Sequence, residues 1–145
     1  MKVIIRSQKD FNELPDSFEY ETMIEVQSDI AINRNPKHSI IYIVGETEVV
    51  VTGAKVAAHD RSRVKAFSGS SVSAHDQCQV VATESDVWSF SSEAKITLYK
   101  SRCTSHAGII YAFDGSFVYT YDATVVNADK TSVVALGGKS VLKSI

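Results

Sequence analysis

Ser62-Arg63-Val64-Lys65-Ala66-Phe67-Ser68-Gly69 is followed at once by Ser70-Ser71-Val72-Ser73-Ala74-His75-Asp76-Gln77. Each stretch is a strand-like quintet, Ser-x-Val-x-Ala, and a three-residue turn. The same count of eight starts at Ala54-Val56-Ala58, continues through Cys78-Val80-Ala82, and returns as Ser116-Val118-Thr120, Thr124-Val126-Ala128 and Ser132-Val134-Leu136. Self-similarity at a fixed short period is the signature of a repeat architecture. Side chains alternate along a strand, so the first, third and fifth residues of a quintet share a face. Those residues are small or aliphatic, which predicts a narrow interior. The turns (His59-Asp60-Arg61, Phe67-Ser68-Gly69, Gly137-Gly138-Lys139) carry the Asp, Ser and Gly that turns favour.

The expected fold is all-β: a single-chain β-solenoid, or β-helix, of octad strand-turn repeats with a short helical cap at its N-terminus. A flattened coil with two octads per turn is favoured, and a triangular coil with three is the alternative. Residues 1–53 read as capping strands and the short helix, continuous with an octad-repeat solenoid over 54–145, all in one domain. Thr22 to Gln27, Asp29 to Asn33, Ser39 to Val44 and Glu46 to Thr52 alternate and are rich in Ile, Val and Tyr, so they read as strands. Ser7 is placed to cap a helix, with Asp10 near its positive end and Phe11 and Leu14 on an apolar face.

The rhythm breaks twice. Counting by eights puts Trp88 and Phe90 on inward positions, so either the coil widens or the strand flips to bury Val87. Further on, Arg102 to His106 is joined to Gly108 by Ala107 alone. This is either a tightened corner or a notch that re-aims His106 and Arg102. The same count leaves Ile109, Tyr111, Phe117, Tyr119, Val125 and Val133 pointing outward. Either a one-residue slip buries them, or another copy or a partner covers them.

The octads, best in Ser62 to Phe67 and Ser70 to His75, resemble a loose group of bacterial and phage repeat proteins. The opening Lys2-Val3-Ile4-Ile5-Arg6-Ser7 with Leu14-Pro15 is similar to their leader. The resemblance implies a solenoid, a phage or prophage setting and no catalytic residues.

Composition narrows the function classes. The net charge is -2, and Lys+Arg against Asp+Glu gives -4 for residues 1–53 and +2 for 54–145. Neither half has the basic stripe of a nucleic-acid binder. Two cysteines, Cys78 and Cys103, argue for free thiols rather than a disulfide framework. Met1 to Arg6 is too short for a signal-peptide core, and no stretch approaches the roughly 20 apolar residues of a membrane span. The expected location is the cytoplasm of a bacterial or phage-infected cell, with carriage on a virion as the alternative.

Few residues offer chemistry. His59 and His75 are 16 apart, so two octads per turn would stack them with Asp60 and Asp76 alongside. They are weak metal candidates, because zinc needs three or four converging ligands. Cys103, His106 and Asp114 contain nucleophile-system residue types, but neither a nucleophile elbow nor a Gly-rich oxyanion loop accompanies them. No cofactor motif is present. The binding candidates are the basic positions Arg63, Lys65 and Lys95 and the outward aromatics Tyr111, Phe117 and Tyr119. The sequence therefore predicts a non-catalytic binding or scaffold module that forms a homo-oligomer or engages a protein partner. An inhibitor that sequesters a host protein or anionic ligand is one alternative. A small carbohydrate-binding or carbohydrate-acting protein, with Tyr99, Phe113 or Tyr121 stacking on sugars, is another.

Overall fold

A computed structural model describes residues 1–145. Along the chain run β1 (Lys2–Ile5), α1 (Gln8–Asn12), β2 (Ser17–Val26), β3 (Ala31–Ile32), β4 (Lys37–Ile43), β5 (Glu48–Thr52), β6 (Lys55–Ala58) and β7 (Arg63–Phe67). They are followed by β8 (Ser71–Ala74), β9 (Gln79–Thr83), β10 (Asp86–Ser89), β11 (Lys95–Tyr99), β12 (Arg102–Phe113), β13 (Phe117–Ala128), β14 (Val133–Ala135) and β15 (Val141–Ser144). All strand pairs are parallel, and the strands coil into a β-solenoid of about eight turns. Two octads make one turn: Arg63 lies beside Gln79, and Gln79 beside Lys95.

The coil has two faces. Sheet A stacks β1, β2, β4, β6, β8, β10, the first halves of β12 and β13, and β14. Sheet B stacks β3, β5, β7, β9, β11, the second halves of β12 and β13, and β15. Between them lie files of identical or similar side chains. Val56, Val72, Val87, Cys103 and Val118 form one file on sheet A, and Val49, Val64, Val80, Ile96 and Ile110 form its counterpart on sheet B. All ten are buried. Ala66, Ala74 and Ala82 in the neighbouring files are also buried, so the sheets close over a thin core of Val, Ile and Ala.

The repeated Ser has a structural reason. The hydroxyl of Ser101 accepts from the amide of Ser85 on the turn before and donates to the Tyr99 carbonyl of its own corner. Ser116 does the same with Ser101 N and the Phe113 carbonyl. Each hydroxyl satisfies two backbone groups that the corner takes out of the ladder, which makes a small polar residue worth burying. Ser62 is the exception, with a buried hydroxyl that has no partner. The corners also need left-handed backbone, at Asp60 (φ 57), Asp76 (φ 54), Glu84 (φ 51) and Lys100 (φ 50) among others.

Both breaks in rhythm are corners of unequal length. Thr83-Glu84 is a two-residue turn, so Ser85, Val87 and Ser89 point inward and are buried, while Trp88 is outward. Of the two readings of this break, the strand flips to bury Val87 and Ser89, and the count that put Trp88 and Phe90 in the core is corrected. The chain then takes four residues, Phe90 to Glu93, before Ala94 returns to the core, and only His106-Ala107 one turn later. Before the corner the count is already off by one, with Cys103 and Ser105 buried, and the β12–β13 pairing shifts register between Ser105 and Ala107. Past it the expected alternation holds: Ile110, Ala112, Val118 and Thr120 are buried, and Tyr111, Phe117 and Tyr119 face out.

The two ends differ. At the first turn the Ser7 hydroxyl accepts from Asp10 N, and the Asp10 carboxylate accepts from Arg6 N, a reciprocal cap for α1. The Gln8 side-chain amide bonds both N–H and C=O of Ala31, closing the edge of sheet B as a strand would. Phe11 is buried beneath, and Arg34 donates to the carbonyls of Phe11, Leu14 and Pro15. At the other end β14 and β15 pair on one side only. There Leu136 and Leu142, in the inward files, are 46% and 44% exposed.

Candidate functional site

The alternation that fills the core also fixes the outer surfaces, and the two sheets present different chemistry. On sheet B, Arg63 and Lys65 flank Glu48 at 3.4 and 3.8 Å. Lys95 is separated from Arg63 by Gln79. Arg63 and Lys65 therefore share one carboxylate, which offsets one of their two charges, and exposed pairs of this kind contribute little. Tyr111 is on this same sheet, beside Thr97.

Phe117 and Tyr119 face out from sheet A, on the opposite side of the rod from Tyr111, so the three aromatic candidates do not form one patch. Their neighbours on sheet A are residues that the octad count had misplaced. Trp88, Thr104 and Tyr119 are aligned across β10, β12 and β13. Asp86, Arg102 and Phe117 form the next file. With strands about 4.8 Å apart, the Cα atoms of Trp88 and Tyr119 lie roughly 9.6 Å apart, with Thr104 between them. The result is a groove of about 360 Å³ lined by Asp86, Trp88, Arg102, Thr104, Phe117, Tyr119 and Tyr121 over Val87 and Cys103. That volume is at the low end of small-molecule sites, about 300–1,000 Å³. Trp88, Phe117 and Tyr119 are 37%, 41% and 43% exposed, so much of each ring is open to a ligand. Arg102 Nε holds Asp86 Oδ1 at 3.1 Å, which leaves the other guanidinium nitrogens and the second carboxylate oxygen free to face the groove. The Tyr121 ring leans on Tyr119, centroids 5.0 Å apart at 60°.

At one corner of the coil, rings stack along the rod. His59 lies on His75 at 4.5 Å with planes 5° apart, and the stack continues through Phe90, His106 and Tyr121 at 5.1, 5.4 and 5.0 Å. Burial, and then the neighbouring His59, hold the His75 pKa below the usual histidine value, with Asp76 opposing. The aspartates beside the stack are committed to backbone. Asp60 accepts from Gly45 N, and Asp76 accepts from Asp60 N at 2.9 Å while lying 3.5 Å from His59 Nδ1. The predicted stacking of His59 and His75 is thus present, but their rings are face to face and no three His, Cys, Asp or Glu side chains converge as a metal site would require.

Cys103, His106 and Asp114 are not brought together. Cys103 faces the core, where burial pushes its thiol up to about 12. His106 Nδ1 faces Asp122 at 4.0 Å. Asp114 is at the opposite corner, its amide bonded to Asp129. The Cys78 thiol is likewise raised, to about 11, by burial, and a thiol so raised is a poor nucleophile.

Sequence reasoning missed Trp88, Asp86, Arg102 and Thr104 as a group. The signal was available: Ser85-Asp86-Val87-Trp88-Ser89 and Ser101-Arg102-Cys103-Thr104-Ser105 keep the Ser-x-small-x-small motif when the preceding turn is shortened by one residue. No family model, curated protein or solved structure matches this chain.

Proposed function

We propose that this protein is a non-catalytic, rigid binding or scaffold module that presents the outer face of sheet A to its ligand or partner. The groove between Trp88 and Tyr119 carries this reading. Four exposed aromatic rings and an ion pair converge there on a surface of fixed backbone. Rigid aromatic anchors of this kind give contact area at low entropic cost. Sheet B supports an anion-sequestering role less well, because Glu48 occupies Arg63 and Lys65. A phage or prophage setting belongs to the same proposal, on the strength of the octad resemblance.

The test is a thermal-shift screen of wild type and Tyr119→Lys against neutral oligosaccharides, nucleosides and short peptides. A ligand that binds only the folded state raises the melting temperature. The expected result is stabilisation of wild type by at least one class and none of the variant. Equal response of both proteins, or none in either, refutes the groove as the binding surface.

A further inference from the structure

We infer that the slot between Trp88 and Tyr119 binds a neutral pyranose ring of a glycan, an inference that rests on the binding-module reading above. The slot has the width of one ring. Its walls are separated by two strand spacings, roughly 9.6 Å between Cα atoms, and Thr104, half-buried, is the low floor between them. An aromatic wall on each side meets the C–H faces of a sugar, which are apolar, while the ring's edge carries hydroxyls that both donate and accept.

The polar groups match that edge. The Asp86 carboxylate offers acceptors and the Arg102 guanidinium donors, side by side at 3.1 Å, the arrangement that adjacent hydroxyls satisfy with one bond each way. Together they carry no net charge, so a phosphate or carboxylate ligand gains little there. Thr104 adds a hydroxyl at the floor, and Tyr119 and Tyr121 add phenols at the rim. The groove is open to solvent rather than closed over. Its walls stand one above the other along the rod, so neighbouring units of a chain would leave the slot across the rod, along the strand direction.

Trp88 is the only tryptophan in the protein, so its emission reports the slot directly. Cellohexaose, maltohexaose, chitohexaose and adenosine would each be titrated into the full chain while Trp88 fluorescence is followed, with calorimetry for the same pairs. The expected result is a saturable emission change with at least one oligosaccharide. Tyr119→Ser, which removes one wall, and Thr104→Leu, which fills the floor, should each weaken it tenfold or more with the melting temperature unchanged. Both positions face solvent, so loss of fold is not the expected effect. Saturation by adenosine and by no sugar overturns the glycan assignment and leaves the groove as a binding site. Silence of all four to about 10 mM, weaker than millimolar affinity, overturns both. Sugar binding that both variants retain at full strength places the glycan elsewhere and overturns the slot.

Discussion

Gly108→Ala tests the tightest corner of the coil. Gly108 has φ +124, a conformation that L side chains rarely adopt. A Cβ there would lie 2.7 Å from Ser89 Oγ and 3.1 Å from the carbonyl oxygens of Ala94 and Ser91. The backbone contacts cannot yield without moving the preceding turn. Ser89 Oγ cannot yield freely either, because it is buried and donates to the Ala107 carbonyl at 2.6 Å. The backbone strain costs about 1–3 kcal/mol. The Ala107 carbonyl keeps Ser105 Oγ at 3.0 Å, but the displaced Ser89 hydroxyl is buried and left short of an acceptor, for about 1–3 kcal/mol more. A total near 4 kcal/mol is a large part of the 5–15 kcal/mol typical of a domain, and for a chain of this size it lowers the melting temperature by roughly 8–16 °C. Thermal denaturation followed by circular dichroism measures it. Adding Ser89→Ala to Gly108→Ala removes the nearest clash, so the double variant should lose less than the sum of the single losses. A Gly108→Ala protein that melts within about 2 °C of wild type would refute this account of the corner.

Three further outcomes follow from the same geometry. Val72→Asp places an unpaired carboxylate in the fully buried sheet A file and should destabilise by about 4 kcal/mol or more; a near-native urea midpoint would contradict the inward assignment. His75 is held below its ordinary pKa of 6.5 in the fold, so the unfolded chain takes up its proton first as pH falls. Its contribution is therefore full above about pH 6.5 and lost progressively below it. The melting temperature should fall from pH 7 to 5, and His75→Phe, which keeps a ring between His59 and Phe90, should flatten that dependence; an unchanged slope with His59, Asp60, Asp76 and His106 intact would assign the effect to those neighbours. Lys100→Gly relieves a left-handed residue (φ 50) at an exposed turn and should raise stability by about 0.5 kcal/mol after the entropic cost of glycine, read as a shift in the urea midpoint.

The solenoid was legible because Ser62 to Gln77 shows its period without interference. Inward Ser, Val and Ala recur at fixed spacing, and only a coil with two octads per turn sets Val64 beside Val80 and Val56 beside Val72. The groove was less legible because it depends on turn length, which the strand pattern does not determine. A turn of two, three or four residues closes the same corner, and the count shifts by one wherever the length changes. At Thr83-Glu84 the shift moved Trp88 from core to surface, and with it the slot. The same limit applied to Arg102: the sequence left it beside a tightened corner or a notch, while its pairing with Asp86 outside depends on Ser101 being the corner serine. The cap at Ser7 and Asp10 was readable because its bonds are local, whereas the reach of Arg34 to the end of α1 spans 20 residues or more and leaves no local trace.

The parallel stacking of β10, β12 and β13 has a consequence for how such a site changes over evolutionary time. The distance between Trp88 and Tyr119 is set by counting strands, so it cannot drift continuously as a pocket between loops can. Duplicating one coil between them would widen the opening by a single strand spacing, about 4.8 Å, and deleting one would close it by the same step. Selectivity for ligand size on this rod is therefore gauged in whole units, and side-chain exchange at Thr104 supplies the only fine adjustment.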